Sequence, residues 1–237
     1  MARRRSASLD MISLVARRLG MLREKVVFLG GAAISLFLTD PGLTQVRITG
    51  DVDAIVEVVS WVAYHKLEES LRDLGFKHAT DRDAPMCRWS IEGVIVDIMP
   101  TSEEILGFSN RWHSEAMQHT KMHKLDDDLE IRLVTAPYFL ATKIEAFLGR
   151  GHGDFQSSHD IEDIITVIDG RRELVEEIRA SSPELRAYLS EKFNSFLKDD
   201  AFLDSLPGHL LPDSANQARG PSLLDRVKQI ARLTLPV

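Results

Sequence analysis

The chain of 237 residues carries 29 Lys and Arg against 36 Asp and Glu, a formal charge of −7 that excludes a surface coated in basic residues for nucleic acid. With 44% hydrophobic and 27% charged residues, intrinsic disorder is excluded as an overall description, and the length accommodates one large domain or two small ones. A single cysteine, Cys87, excludes an intramolecular disulfide and any cysteine-based zinc site, and no run nears the roughly 18 to 20 apolar residues of a membrane span, so a cytoplasmic location with no membrane partner is expected.

Met11 to Leu22 places Ile12, Leu14, Val15, Leu19 and Leu22 at helical spacing, which predicts an opening amphipathic helix. Lys25 to Leu29 is a β-prone run closed by Gly30-Gly31, and Ala32 to Thr39 reads as a helix ending before Asp40-Pro41-Gly42. Gln45 to Thr49 leads through Gly50 into a second strand, Asp51 to Val58, followed by a helix from Val59 to Leu74 with Gly75 as its stop. Phe76 to Ala79, Cys87 to Ile91 and Val94 to Met99 read as strands, the last two joined tightly at Glu92-Gly93. Residues 100–129 are polar and poorly periodic, and Glu130 to Val134 gives one more strand.

Beyond Pro137 the chain is helical in character: Pro137 to Leu148, Asp160 to Ile168, Arg171 to Ala180, Pro183 to Leu197 and Leu223 to Leu233, with Leu206 to Pro221 as a loop or linker. Strands in the first half and helices in the second predict an α+β fold with a helical C-terminal domain. The expected division is residues 1–135, including the N-terminal helix, and residues 136–237. Charge is uneven as well. Residues 1–25 hold seven basic side chains (Arg3, Arg4, Arg5, Arg17, Arg18, Arg23 and Lys25) against Asp10 and Glu24, making this segment +5 and the remainder −12. It reads either as a phosphate-binding patch or as a solvated helix face with a tail.

The chemistry concentrates on three carboxylates. Asp51 and Asp53 sit two apart at the start of a strand and so project to one side. Asp97 lies in the otherwise apolar run Val94 to Met99, where an unpaired carboxylate costs several kcal/mol. If the two strands are neighbours, the three converge on a site suited to Mg²⁺, which takes oxygen ligands and keeps waters and substrate phosphates as the others. Otherwise Asp51 and Asp53 serve a turn or cap and Asp97 pairs with an arginine. Gly30-Gly31 stands between a strand and a helix, where backbone N–H groups can meet a phosphate, and the Asp-x-Asp pair begins 20 residues after Gly31. A phosphate cradle beside a divalent metal is what phosphoryl or nucleotidyl transfer requires. Further along, Lys143 and Arg150 share one helix face, to clamp phosphates or to form an ion-pair network with Glu145, Asp160 or Asp163. His113, His119 and His123 have a poor ligand spacing and read as surface residues, Asp126 to Asp128 as a solvated loop, Gly149 to Gly153 as a helix-to-helix turn, and Cys87 as a small core residue.

Val27 to Ile34 around Gly30-Gly31, followed by Arg47-Ile-Thr49-Gly-Asp51-Val-Asp53 and Asp97 in Val96-Asp97-Ile98, resembles the opening pattern of the nucleotidyltransferase superfamily of polymerase-beta-like fold. Lys143-Ile-Glu-Ala146-Phe-Leu-Gly-Arg150 and His159-Asp160-Ile-Glu-Asp163-Ile164 resemble the downstream segments of its AbiEii/AbiGii-type branch, which includes type IV toxin–antitoxin toxins. The resemblance spans about residues 26–170. It departs in the longer stretch between Gly31 and Asp51, through the insertion at residues 40–45, and in Gly31 standing where stricter versions have serine. It implies a nucleotidyltransferase-type mixed β-sheet domain with flanking helices, and a Mg²⁺-dependent transferase moving NMP from an NTP to a hydroxyl. Asp51, Asp53 and Asp97 would hold metal. Gly30, Gly31, Arg47, Thr49, Lys143 and Arg150 would bind the nucleotide, and Asp97, Lys143 and Asp160 would act in catalysis. The acceptor stays open between an RNA such as tRNA, a protein and a small molecule, and an antitoxin is an implied partner. The alternatives are a non-catalytic nucleotide-binding module of the same fold and a metal-dependent phosphohydrolase.

Overall fold

The computed structural model describes residues 7–40, 46–107, 110–151 and 153–234. Arg3, Arg4 and Arg5 of the basic segment, most of the 40–45 insertion and His152 lie outside the described residues. The chain divides into two compact units, one of residues 1–36 and 47–135 and one of residues 37–46 and 136–237.

The first unit is α+β. Helix α1 (Ala7–Arg18) buries Ile12, Val15 and Ala16 on one face and is followed, past Gly20 at φ 53°, by a 3-10 turn over Gly20–Lys25. Strand β1 (Val26–Leu29) is buried along its whole length, which suits an unbroken Val-Val-Phe-Leu run at the middle of a sheet. A 3-10 turn (Gly31–Ala33) and the short helix α2 (Ile34–Phe37) stand where the sequence predicts one continuous helix. Strand β2 (Asp51–Val56) comes next. Helix α3 (Trp61–Asp73) opens on Ser60, whose hydroxyl accepts the Ala63 N–H at 3.2 Å, buries Tyr64, Leu67 and Leu71, and stops before Gly75 at φ 89°.

Strands β3 (Lys77–His78), β4 (Arg88–Ile91) and β5 (Val94–Pro100) follow. The last two pair as a hairpin whose two turn residues, Glu92 and Gly93, both have positive φ (48° and 84°), the twist that two-residue hairpins need. The stretch that looks aperiodic in sequence holds two single-turn helices, α4 (Glu103–Leu106) and α5 (His113–Ala116), and then strand β6 (Thr120–Asp126), hairpinned to β7 (Leu129–Val134). β6 escapes the sequence reading because it lies at the sheet edge with most residues exposed, so no apolar alternation marks it. The seven strands run in the order β3-β4-β5-β2-β1-β7-β6. β2–β5 and β1–β7 are parallel and the other neighbours antiparallel, so the sheet is mixed.

The second unit is helical: α6 (Ala136–Arg150), α7 (His159–Gly170), α8 (Leu174–Arg179), α9 (Pro183–Phe196), α10 (Asp200–Ser205), α11 (Ser214–Gln217) and α12 (Gly220–Ala231). The expected 206–221 linker holds a 3-10 turn (Leu206–His209) and α11, capped by Asp213. Side-chain caps from Ser158, Ser182 and Asp199 start α7, α9 and α10, and Pro183 fits the first turn of α9 because its missing N–H would have no partner there. Phe147, Phe155, Phe196 and Phe202 meet at ring-centroid distances of 4.8 to 5.9 Å in the core. Residues 37–40 belong here too. The Thr39 and Asp40 N–H groups donate to Gly170 O at 3.0 and 3.2 Å, Arg171 Nη1 donates to Phe37 O at 2.6 Å, and the Phe37 ring packs on Phe139.

Candidate metal centre

The register of β2 and β5 places Asp53 directly beside Asp97, with Asp51 two residues back along β2 on the same face. One oxygen from each of the three carboxylates lies within 4.8 Å of the others. Val52, Ala54, Val96 and Ile98 alternate with them and are fully buried, which pins the two strands and leaves the acidic face no freedom to turn inward. Three like charges at this separation repel unless a cation lies among them. An all-oxygen donor set is what a hard divalent ion such as Mg²⁺ takes, so the residues fit the expected metal.

Gly30 adjoins this face. β1 and β2 pair with Leu29 opposite Asp53, and Gly30, at φ 79° and ψ −172°, comes next. A Cβ at this position would stand 1.9 Å from Asp53 Oδ2, so only glycine lets the turn pass the carboxylate. Gly31 is buried and begins the 3-10 turn. Thr49, also buried, donates its hydroxyl to Asp51 Oδ1 at 2.6 Å and fixes that carboxylate's orientation. Arg47 sits half-buried in the irregular segment before β2. The structure therefore brings Gly30, Thr49, Asp51, Asp53 and Asp97 to one place in the first unit.

Asp97 also has the arginine partner that the alternative reading requires. Arg88 donates from Nε to Oδ1 at 2.9 Å and from Nη2 to Oδ2 at 2.7 Å, a two-pronged, charge-assisted pair. These hydrogen bonds, with the charges of Asp97 and Asp51, raise the guanidinium pKa further still. Sequence reasoning missed Arg88, although counting outward from the Glu92-Gly93 turn sets Ile91 against Val94 and hence Arg88 against Asp97.

The second unit holds a further charged cluster. Lys143 Nζ on α6 lies 2.6 Å from Asp163 Oδ2 and 3.1 Å from Asp160 Oδ1 on α7, and Arg150 donates to both Asp160 oxygens at 3.0 Å. Asp163 is fully buried and Lys143 nearly so, while Arg150 remains largely exposed. Burial acts to raise the Asp160 pKa, but the Arg150 hydrogen bond and the Lys143 charge outweigh it, and the carboxyl is held below its ordinary range. Glu145 lies outside the network and accepts from the Tyr188 hydroxyl at 2.6 Å.

Arg17 is bound to Asp126 and Asp128 and Arg18 to Glu92 in exposed ion pairs, and Arg23 donates to Ala16 O, which fits the solvated helix face, and Asp126 to Asp128 are exposed, as a solvated loop requires. His113 is a core residue, not a surface one, and burial pushes its pKa down to about 4. His119 is exposed and His123 half-buried. Cys87 is buried as expected, and burial pushes its thiol up to about 12, which leaves it unreactive near neutrality. Among the described residues no helix is long and apolar enough to cross a membrane.

No protein-family model matches the chain, and no curated protein does. Several solved chains are similar to it, and two of them illustrate the likeness. One is an antigenic nucleotidyltransferase-like protein from Paracoccidioides brasiliensis, with a TM-score of 0.50 and 19% identity over 84% of this chain and 92% of the other. The second is the JHP933 protein of Helicobacter pylori, with a TM-score of 0.50 and 12% identity over 96% of this chain and 93% of the other. With its seven-stranded mixed sheet and helices, the chain has a nucleotidyltransferase-like fold.

Proposed function

We propose that the chain is a Mg²⁺-dependent nucleotidyltransferase that moves NMP from an NTP to an acceptor hydroxyl. The observation that carries this reading is the convergence of Asp51, Asp53 and Asp97 within 4.8 Å beside the Gly30 turn, on a fold of that type. When bound, the divalent ion supplies charge neutralisation and Lewis acidity to the triphosphate. Asp51 and Asp53 would hold it, with Thr49 keeping the Asp51 carboxylate aligned. Gly30 leaves the space that Asp53 occupies, and Gly31, Arg47 and Arg150 are assigned to the nucleotide. Asp97 would complete the acceptor-side metal and, as a carboxylate with several acceptor lone pairs, assist removal of the acceptor hydroxyl's proton. The hydroxyl oxygen then bonds to the α phosphorus, the bond to the bridging oxygen breaks, and pyrophosphate leaves. Lys143, set by Asp160 and Asp163, is the cation that the order of motifs assigns to the triphosphate.

A domain of residues 1–135 carrying the carboxylates and one of residues 136–237 carrying Lys143 belong to the same proposal. Placement in the AbiEii/AbiGii-type branch rests on the Lys143 to Arg150 and Asp160 to Asp163 segments, and brings with it a toxin role with an antitoxin partner and a tRNA or protein acceptor. The test is incubation of the purified chain with Mg²⁺, each α-labelled NTP, and tRNA or a protein extract. Label on an acceptor with pyrophosphate release supports transfer, and its loss in Asp53→Asn with folding retained supports the carboxylate assignment. Orthophosphate release identifies a phosphohydrolase, and nucleotide binding without turnover identifies a binding module. For the toxin role, growth arrest on expression that Asp53→Asn relieves is the expected outcome.

A further inference from the structure

We infer that Arg88 is a built-in counter-cation at the carboxylate triad, which a divalent ion displaces from Asp97 when it binds. The inference rests on the metal reading of Asp51, Asp53 and Asp97 and deepens it. The sheet register sets Arg88, Asp97 and Asp53 in one row across β4, β5 and β2, so a positive side chain faces the metal-binding row from the strand beside it. The guanidinium fork engages both oxygens of Asp97, the oxygens that the ion needs.

The backbone around Arg88 is fixed. Its N–H donates to Pro85 O at 2.9 Å, its carbonyl accepts the Ala79 N–H at 3.0 Å, and the Cys87 carbonyl accepts the Ile98 N–H at 2.9 Å. Strand movement therefore cannot relieve the competition, and a side chain has to yield. The two side chains differ in their freedom to do so, because Arg88 is 34% exposed and Asp97 only 11%. Arg88 has an open side toward solvent, whereas Asp97 is held in the sheet.

Before an ion arrives, Arg88 offsets part of the repulsion among three carboxylates within 4.8 Å and keeps the enclosed Asp97 from standing as an uncompensated charge. Once the ion is bound, the guanidinium is a like charge a few ångströms away and swings out. Thr49 does the opposite for Asp51: its hydroxyl bond brings no charge and does not oppose a cation. Asp51 and Asp53 are thus the standing ligands, and Asp97 is the ligand whose recruitment Arg88 regulates. A purely structural arginine predicts weaker or unchanged metal binding on removal, and a counter-cation predicts tighter binding.

The experiment is Mn²⁺ titration of the full chain without nucleotide, followed by electron paramagnetic resonance and calorimetry, in wild type, Arg88→Gln, Arg88→Lys and Asp53→Asn. Arg88→Gln is expected to bind Mn²⁺ about tenfold more tightly, the scale of one close like charge removed at a partly solvated site. Arg88→Lys, which keeps the charge and loses the fork, should fall between it and wild type, and Asp53→Asn should bind far more weakly than any of them. In wild type, the Arg88 Nε–Hε nuclear magnetic resonance signal should shift on addition of Mg²⁺. That measurement keeps the inference falsifiable if Arg88→Gln does not fold. Equal or weaker Mn²⁺ binding by Arg88→Gln, or an Arg88 signal unmoved by saturating Mg²⁺, overturns the role of Arg88 and leaves the metal reading standing. A wild-type chain that binds no Mn²⁺ overturns both.

Discussion

At Gly30 the Asp53 carboxylate occupies the space in which any other residue would carry its Cβ, and the backbone angles, φ 79° and ψ −172°, lie in a region essentially reserved for glycine. Gly30→Ala should therefore fail twice. It should lose about 1–3 kcal/mol in denaturant unfolding from backbone strain alone, and it should lose cation binding because Asp53 has to move. A variant with wild-type Mn²⁺ affinity would separate the glycine turn from the metal ligands. His113 makes a different prediction. Burial lowers its pKa from 6.5 to about 4, so between these values the unfolded chain binds a proton that the folded chain does not. Its contribution is fully present above pH 6.5 and is lost as pH falls toward 4, up to about 3 kcal/mol. The melting temperature of wild type should fall through this window and that of His113→Gln should fall less steeply, and parallel profiles would show that His113 is not the group responsible.

At the level of elements, α6 and α7 are joined by the Lys143, Asp160 and Asp163 cluster, whose members are at most 11% exposed at the side chain. Removing one partner from a buried pair leaves a charge stranded, so Lys143→Met should cost about 3–5 kcal/mol, and the double variant Lys143→Met with Asp163→Asn should recover part of that loss. Chemical denaturation of Lys143→Met, Asp163→Asn and the double variant measures it. Asp160 adds an acid limit. Its carboxyl sits below the ordinary range, so its contribution is present above about pH 4 and is lost as pH falls through the lowered value. Gly149, inside α6 with nothing within 4 Å of its Cβ position, gives the opposite sign. Gly149→Ala should stabilise by about 0.5–1 kcal/mol, measured in the same way, because alanine has less conformational entropy to lose in a helix. What the sequence conveyed about elements follows their burial. β1, with four buried residues, and α3, with Tyr64, Leu67 and Leu71, announce themselves through period and composition. β6 does not, because its order comes from pairing with β7 and not from an apolar face of its own.

At the level of the whole molecule, a ligand that binds only the folded chain raises its stability. Mg²⁺ at a hundred times its dissociation constant should add about 2.7 kcal/mol, seen as a rise in melting temperature that Asp53→Asn abolishes. An unchanged melting temperature in wild type at saturating Mg²⁺ would count against the metal centre. Charge at this scale was only partly legible. The +5 N-terminal segment reads as a phosphate patch or a solvated helix face, and Arg17 and Arg18 do lie exposed, but their partners Asp126, Asp128 and Glu92 are more than 70 positions away in the chain.

The sequence by itself determined the α+β composition, the helical character after residue 136, the Asp51 and Asp53 pair and the glycine turn, because each is written in neighbouring residues: a period of two puts Asp51 and Asp53 on one face, and apolar flanks mark Asp97 as needing a partner. Only the tertiary structure decided that Asp97 stands beside Asp53, that Gly30 is shaped by Asp53, that Arg88 caps the row, and that residues 37–40 pack with the second unit. Each of these contacts joins segments on different strands or helices. Local spacing cannot reveal them, because strand order and register emerge only when the whole sheet buries its apolar face.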